Sequence, residues 1–150
     1  MISKPMSTKI FSALGYVIAV TGLLFLLYRH YIISTNPIAI IIQASAFCLM
    51  IWARITFKSR SFHLTANPTK GGLVTSGPYK WLRHPIYAAV IYFSWACLIP
   101  FPNIETLIGV VLITVGMFIR LLLEEKALIK MYPEYAEYSK QAKRLVPFVF

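Results

Sequence analysis

From Ile10 to Leu27 the chain runs 18 residues without a charge, and from Pro37 to Ala53 it does so again. About 20 apolar residues in an α-helix cross the roughly 30 Å hydrocarbon layer of a bilayer. Backbone groups in hydrocarbon must find partners within the protein, so runs like these are confined to helices. Charged residues make up only 13% of the chain, about half the usual share for a soluble domain. The chain therefore reads as one integral membrane domain over residues 1–150, built of helices. The net charge of +10 sits in the polar segments between the runs. It speaks of topology and anionic lipid, not of nucleic acid, which would need a basic face on a soluble fold. The first run lacks a small-residue cleavage site and reads as a retained anchor.

A third apolar segment, Ile86 to Ile99, is short for a span. A fourth follows the Pro100-Phe101-Pro102 turn: Asn103 is a good N-cap, Glu105 suits the first turn, and Pro133 sets the end. This predicts a helix from Ile104 to about Met131, roughly 40 Å long at 1.5 Å per residue. Its last two turns should stand in the headgroup layer. A short amphipathic helix from Glu134 to about Ala142 should follow. Lys4 and Lys9, the set Lys58, Arg60, Lys70, Lys80 and Arg83, and the set Lys126, Lys130, Lys140, Lys143 and Arg144 fall in alternate polar segments. Four transmembrane helices with both termini cytoplasmic satisfy the positive-inside rule.

The most informative polar stretch is Gly71 to Tyr87, G-G-L-V-T-S-G-P-Y-K-W-L-R-H-P-I-Y. Pro85 disfavours a helical His84 and can itself occupy the first helical turn. Arg83 and His84 are thereby set at a helix start, where an anion site and a basic face toward lipid phosphate are equally good readings. Downstream, Arg120 lies four residues before Glu124 and can pair with it along the helix. Glu125 is turned about 100° away, so the two acids address different neighbours; the second is left for Arg83, Arg144 or a ligand. Tyr132, Tyr135 and Tyr138, spaced by three, form either an interfacial aromatic belt or a wall for a flat ring. Cys48 and Cys97 lie in apolar runs without ligand spacing. His30, His63 and His84 show no metal pattern, and no metal is expected.

These motifs carry a resemblance. G-P-Y-K-W-L-R-H-P-I-Y, then E-E-K-A-L with M-Y-P-E-Y-A-E-Y, then K-R-L-V-P-F resembles the isoprenylcysteine carboxyl methyltransferase superfamily, which includes phospholipid methyltransferases. It covers roughly residues 58 to 150. The resemblance implies a multi-span helical fold with its cofactor site at the cytoplasmic face; joined to the count above, this gives an all-α membrane protein of four transmembrane helices with a cytoplasmic loop and C-terminal helix forming a cofactor site. It implies S-adenosylmethionine as cofactor and a lipophilic or lipid-like acceptor drawn from the membrane. Matched residue by residue, it implies cofactor binding by Leu73, Val74, Arg83, His84, Tyr87, Glu124, Glu125, Tyr135, Tyr138 and Arg144, with Glu124, Glu125 and Arg144 also catalytic. The localisation it suggests is a bacterial or archaeal plasma membrane. The glycine usual after R-H-P-x-Y is replaced by Ala88-Ala89, and the N-terminal part is short. The rival readings are an NADPH-dependent membrane reductase of the sterol type and a non-catalytic membrane protein.

Overall fold

The computed structural model describes residues 6–57 and 73–149, with the first four of these as backbone only. Every regular element among the described residues is helical, apart from one isolated β-bridge. The helices are α1 (Met6–Tyr28), α2 (Pro37–Phe57), α3 (Pro85–Ala96), α4 (Ile104–Met131) and α5 (Tyr135–Gln141), with a 3-10 turn at Gly77–Lys80 before α3. Lys58, Arg60, His63, Lys70, Gly71 and Gly72, which the sequence places in the long polar segment, lie outside the described residues.

The local signals act as their chemistry requires. The Asn103 side chain accepts from the Thr106 N–H at 2.8 Å, closing the start of α4. Asn36 does the same for α2, accepting from Ile38 and Ala39 at 3.0 and 3.1 Å. Pro85 occupies the first turn of α3, and the preceding His84 takes a non-helical φ of −128° and ψ of 59°. The helix α4 has the predicted bounds. α3 ends three residues earlier than the apolar run suggests, because the N–H groups of Cys97, Leu98 and Ile99 turn back to carbonyls only three residues away. Its 12 residues span about 18 Å. Three helices, α1, α2 and α4, have the length and composition to cross a bilayer, and α3 falls short of it.

α1 packs against α4, α4 against α3, and α3 against α2. The α1–α4 pair is antiparallel and very close. Gly15 meets Gly116 and Gly22 meets Gly109; a Cβ on Gly116 would lie 2.7 Å from the Ala19 backbone nitrogen, and one on Gly22 2.7 Å from the Gly109 carbonyl oxygen. Lipid offers helices no hydrophobic reason to associate, so such pairs rest on the van der Waals contact that small residues permit. The pair is clasped at one end by Arg29 and Tyr31, which both bond the Glu105 carboxylate. At the other end, Arg120 of α4 reaches the Ser12 carbonyl and the Tyr16 ring of α1. That second end also holds the end of α2, the start of α3 and the C-terminal segment. Phe57 of α2 packs on Tyr79 there, and Trp52 on Trp81.

A candidate site of converging charged residues

Two short stretches of non-helical chain bring the key residues together. Leu82 and Lys143 form a parallel β-bridge. The Lys143 N–H donates to the Trp81 carbonyl at 2.9 Å, the Arg83 N–H to Lys143 at 2.6 Å and the His84 N–H to Arg144 at 3.2 Å. Arg144 is thus held beside Arg83 and His84, although 60 residues separate them in the chain. Gly77 makes the approach to this bridge possible. Its φ is +57°, and a Cβ there would lie 2.6 Å from the Thr56 hydroxyl oxygen of α2, so both backbone and space call for glycine. The hydrophobic residues Leu82, Ala88, Leu121 and Leu145 seal the bridge against α3 and α4.

Glu125 of α4 is the hub. It is 5% exposed and its two oxygens are surrounded. One accepts from Arg83 Nη1 at 2.9 Å and from the Tyr135 hydroxyl at 3.3 Å, and lies 3.4 Å from His84 Nε2; the other accepts from Arg144 Nε at 3.0 Å. A buried carboxylate is tolerable only when paired and hydrogen-bonded in this way. Glu124 points elsewhere, as a 100° step around the helix requires. It accepts from the Tyr87 hydroxyl at 2.8 Å and lies 3.9 Å from His84 Nδ1. The His84 and Tyr87 rings stack at 5.6 Å, 19° from parallel. Arg120, one turn earlier and 6% exposed, also hydrogen-bonds Tyr87. The network therefore runs from α1 through Arg120 and Tyr87 to Glu124, and from His84 to Glu125.

Among the described residues, one buried side-chain polar atom is left over: the Nε of Arg83 has no partner. The tyrosines of the tail cover the cluster. Burial, then the neighbouring Glu125 charge, pushes the Tyr135 phenol up to about 12. Burial likewise raises Tyr79, helped by Glu124, and Tyr138, helped by Tyr135. All three therefore stay neutral and keep a proton to donate. The Tyr138 hydroxyl donates to the Tyr79 carbonyl at 2.6 Å, and its ring meets Tyr135 edge-on at 5.8 Å. On the outer side of Tyr138 lies an open cleft of about 510 Å³, lined by Leu73, Thr75, Lys80, Glu134, Tyr138 and Gln141. That is within the usual range for small-molecule sites, roughly 300–1,000 Å³.

Arg83, His84, Tyr87, Glu124, Glu125, Tyr135 and Arg144 thus meet in one connected cluster. Leu73 and Tyr138 belong to the adjoining cleft, and half-buried Val74 follows Leu73 without lining it. Of the partners left open for the second acid, Arg83 and Arg144 are the ones it meets. Arg83 and Arg144 already hold Glu125, so the cluster is largely satisfied within itself and the open space lies beside it. Two residues outside the predicted site set join the cluster. Tyr79 is 6% exposed and lies against Phe57 and Tyr138. Arg120, which the sequence offers as a helical partner for Glu124, reaches α1 and Tyr87; a lone charge inside an apolar helix is the signal of that wider role. Among the described residues, no group of three His, Cys, Asp or Glu is placed to hold a metal.

The model of the isoprenylcysteine carboxyl methyltransferase (ICMT) family matches residues 35–130. The chain belongs to that family. The matched range of the ICMT family includes Arg83, His84, Tyr87, Arg120, Glu124 and Glu125, and stops before Tyr135, Tyr138 and Arg144. Similar curated proteins include the protein-S-isoprenylcysteine O-methyltransferases of Xenopus laevis, 34% identical over 65% of this chain and 35% of the relative, and of Homo sapiens, 35% identical over 68% and 37%. Methanethiol S-methyltransferase 1 of Bradyrhizobium diazoefficiens is 34% identical over 47% of this chain and 24% of its own. The chain spans about a quarter to just over a third of these ICMT-family and related proteins. No solved structure matches.

Proposed function

We propose that this chain is a membrane methyltransferase that moves a methyl group from S-adenosylmethionine to a lipophilic acceptor at the cytoplasmic face. The observation that carries the reading is the meeting of Arg83 and His84, Glu124 and Glu125, and Arg144 at one end of the helix bundle, with an unpartnered buried guanidinium nitrogen among them. Family membership supports methyl transfer. The relatives are an O-methyltransferase of protein S-isoprenylcysteine and an S-methyltransferase of methanethiol. A small or lipid-like acceptor of either kind suits a site at membrane depth.

The residues fit the cofactor. It has a carboxylate, an ammonium, a sulfonium and an adenosine; bound, it supplies an electrophilic methyl on positively charged sulfur. The free Arg83 Nε is a donor for the carboxylate. Glu124, which faces Tyr87 and His84 and not a guanidinium at short range, is the acid for the cationic end. Glu125 then acts as a positioning group that keeps Arg83, His84 and Arg144 in register, and is not itself a free base. In-line displacement breaks one S–C bond as a bond to the acceptor forms, so most of the protein's contribution is alignment and exclusion of water. The neutral tyrosines 79, 135 and 138 provide that cover. Arg120 and Tyr87 form the wall toward the apolar part of the bundle, where a lipophilic acceptor would approach.

In this reading α3 and the Cys97–Phe101 turn together make a fourth traverse, which puts both termini at the cytoplasmic side. The test is transfer of label. Purified protein is incubated with methyl-labelled S-adenosylmethionine and, separately, a prenylcysteine, a small thiol and a total lipid extract. Label in one acceptor fraction, lost in Glu124→Ala, is expected. No label in any fraction from a folded protein that binds the donor would overturn the acceptor assignment; no binding of the donor would overturn the whole reading.

A further inference from the structure

The chain after α5 does not stay with the polar surface. The Tyr92 hydroxyl donates to the Leu145 carbonyl, and Tyr92 lies about 10 Å along α3 from Pro85. Leu145 is itself buried with Leu82, Ala88, Ile91 and Leu121. The segment that leaves Arg144 at the site therefore turns back toward the apolar part of the bundle. Val146, Pro147, Phe148 and Val149 follow. The Val149 N–H donates to the Val146 carbonyl at 3.2 Å, and Phe148 within that turn has a φ of +65°. Proline followed by a positive φ is the pattern of a type II turn, whose third position ordinarily takes glycine or asparagine. A bulky aromatic residue is strained there. Yet Phe148 is 83% exposed and Val149 75%. A strained turn that presents two large apolar side chains outward points to a partner outside the chain.

We propose that residues 146–149 insert into the bilayer leaflet at the site end of the bundle, as a non-spanning membrane contact in addition to the helices. The surroundings suit lipid. Trp52, near the end of α2, and Trp81 are both exposed and meet edge-on; indole rings of this kind mark the headgroup level. The Lys143 N–H is bonded to the Trp81 carbonyl, so the tail departs from that level. Lys140 and Lys143 precede it, and exposed Lys80 stands next to Trp81. Basic side chains followed by exposed apolar ones match phosphate above and acyl chains below. A groove on another protein would have to sit at this same depth, within the lipid. Insertion also bears on the site: Leu145 joins the tail to Arg144, so lipid holds one side of the bridge that brings Arg144 to Glu125.

The test measures depth with nitroxide labels on the full chain in phosphatidylcholine–phosphatidylglycerol vesicles. The background is Cys48→Ala, since Cys48 is exposed and Cys97 buried. Labels are attached at Phe148→Cys or Val149→Cys. Phe47→Cys on α2 and Glu137→Cys on α5, both exposed, give the lipid and water references. Collisions are compared for oxygen, which concentrates in lipid, and for a water-soluble nickel chelate. Labels at 148 and 149 should follow the Phe47 reference, with oxygen exceeding nickel. Adding Phe148→Asp should move the label at 149 toward the Glu137 reference. Each substituted side chain is exposed, and a melt checks that each variant folds. Nickel accessibility like the Glu137 reference at both positions would put the tail in water and overturn the proposal. Shielding from both reagents would mean that a protein surface, a second copy included, covers the tail, and would overturn it equally. A label at 149 that ignores Phe148→Asp would remove Phe148 as the anchor and the assignment with it.

Discussion

Removing the Glu125 carboxylate is the sharpest test of the architecture. Arg83 and Arg144, with side chains 14% and 35% exposed, both rest on it at 2.9 and 3.0 Å. Without it both guanidiniums lose the carboxylate they share. Breaking a buried pair by deleting one partner costs about 3–5 kcal/mol. The partial exposure of Arg144 lets water screen one of the two contacts, which places the expected loss near the lower end, about 3 kcal/mol. For a chain of this size each kcal/mol lowers the melting temperature by roughly 2–4 °C. Glu125→Ala should therefore melt roughly 6–12 °C below wild type in the same detergent, by intrinsic fluorescence or differential scanning. Combining Glu125→Ala with Arg83→Met should recover part of the loss, because the stranded charge leaves with its partner. A single variant melting within about 2 °C of wild type, where the shift above is expected, would refute the view that Glu125 ties the three segments together.

Other outcomes follow from the packing and the phenols. Gly116→Ala sets a Cβ against the backbone of α1 and should destabilise by about 1–3 kcal/mol, read as a lower melting temperature and as lost disulfide crosslinking between cysteines placed on α1 and α4. Gly77→Ala must hold φ at +57° beside Thr56; the left-handed conformation alone costs about 1–2 kcal/mol, and loosening of the 77–84 segment should show as faster amide exchange there. The Tyr135 phenol, raised from 10.0 to about 12, binds its proton more tightly folded than unfolded. Its contribution is whole below pH 10 and is lost as pH rises from 10 toward 12, since the unfolded chain gives up the proton first. Phenolate absorbance should show Tyr79, Tyr135 and Tyr138 silent near pH 10 in the folded protein, and stability falling across that alkaline window; full titration of all nine tyrosines at pH 10 without unfolding would contradict it.

Much of the fold was written in local signals. Asn103 and Pro133 bracket α4, and its bounds follow from them. The uncharged runs mark α1 and α2, although both helices continue past the runs, α1 back to Met6 and α2 on to Phe57, and the long Arg54 side chain lets α2 carry a charge near its end. The apolar run overstates α3: Cys97, Leu98 and Ile99 are apolar, so nothing in the run announces the tight turn that ends it at Ala96. For the site, the divergence of Glu124 and Glu125 was legible from helical geometry. The bridge between Leu82 and Lys143 was not, since a pairing of two short extended segments 61 residues apart leaves no periodicity in either. For the same reason the mutual neutralisation of Glu125 by Arg83 and Arg144 could be named only as one alternative. The roles of Tyr79 and Arg120 depend on neighbours from α1, α2 and α5, which a pass along the chain does not bring together.

The account stands on the joint use of these three segments by one ligand. The direct measurement is calorimetric binding of S-adenosylmethionine to the wild type and to Arg83→Ala, His84→Ala, Glu124→Ala and Arg144→Ala, each checked for folding by its melt. The wild type should bind, and each variant should bind at least about tenfold more weakly, the loss expected when one charged or hydrogen-bonding partner is removed. Four folded variants with wild-type affinity would contradict the site.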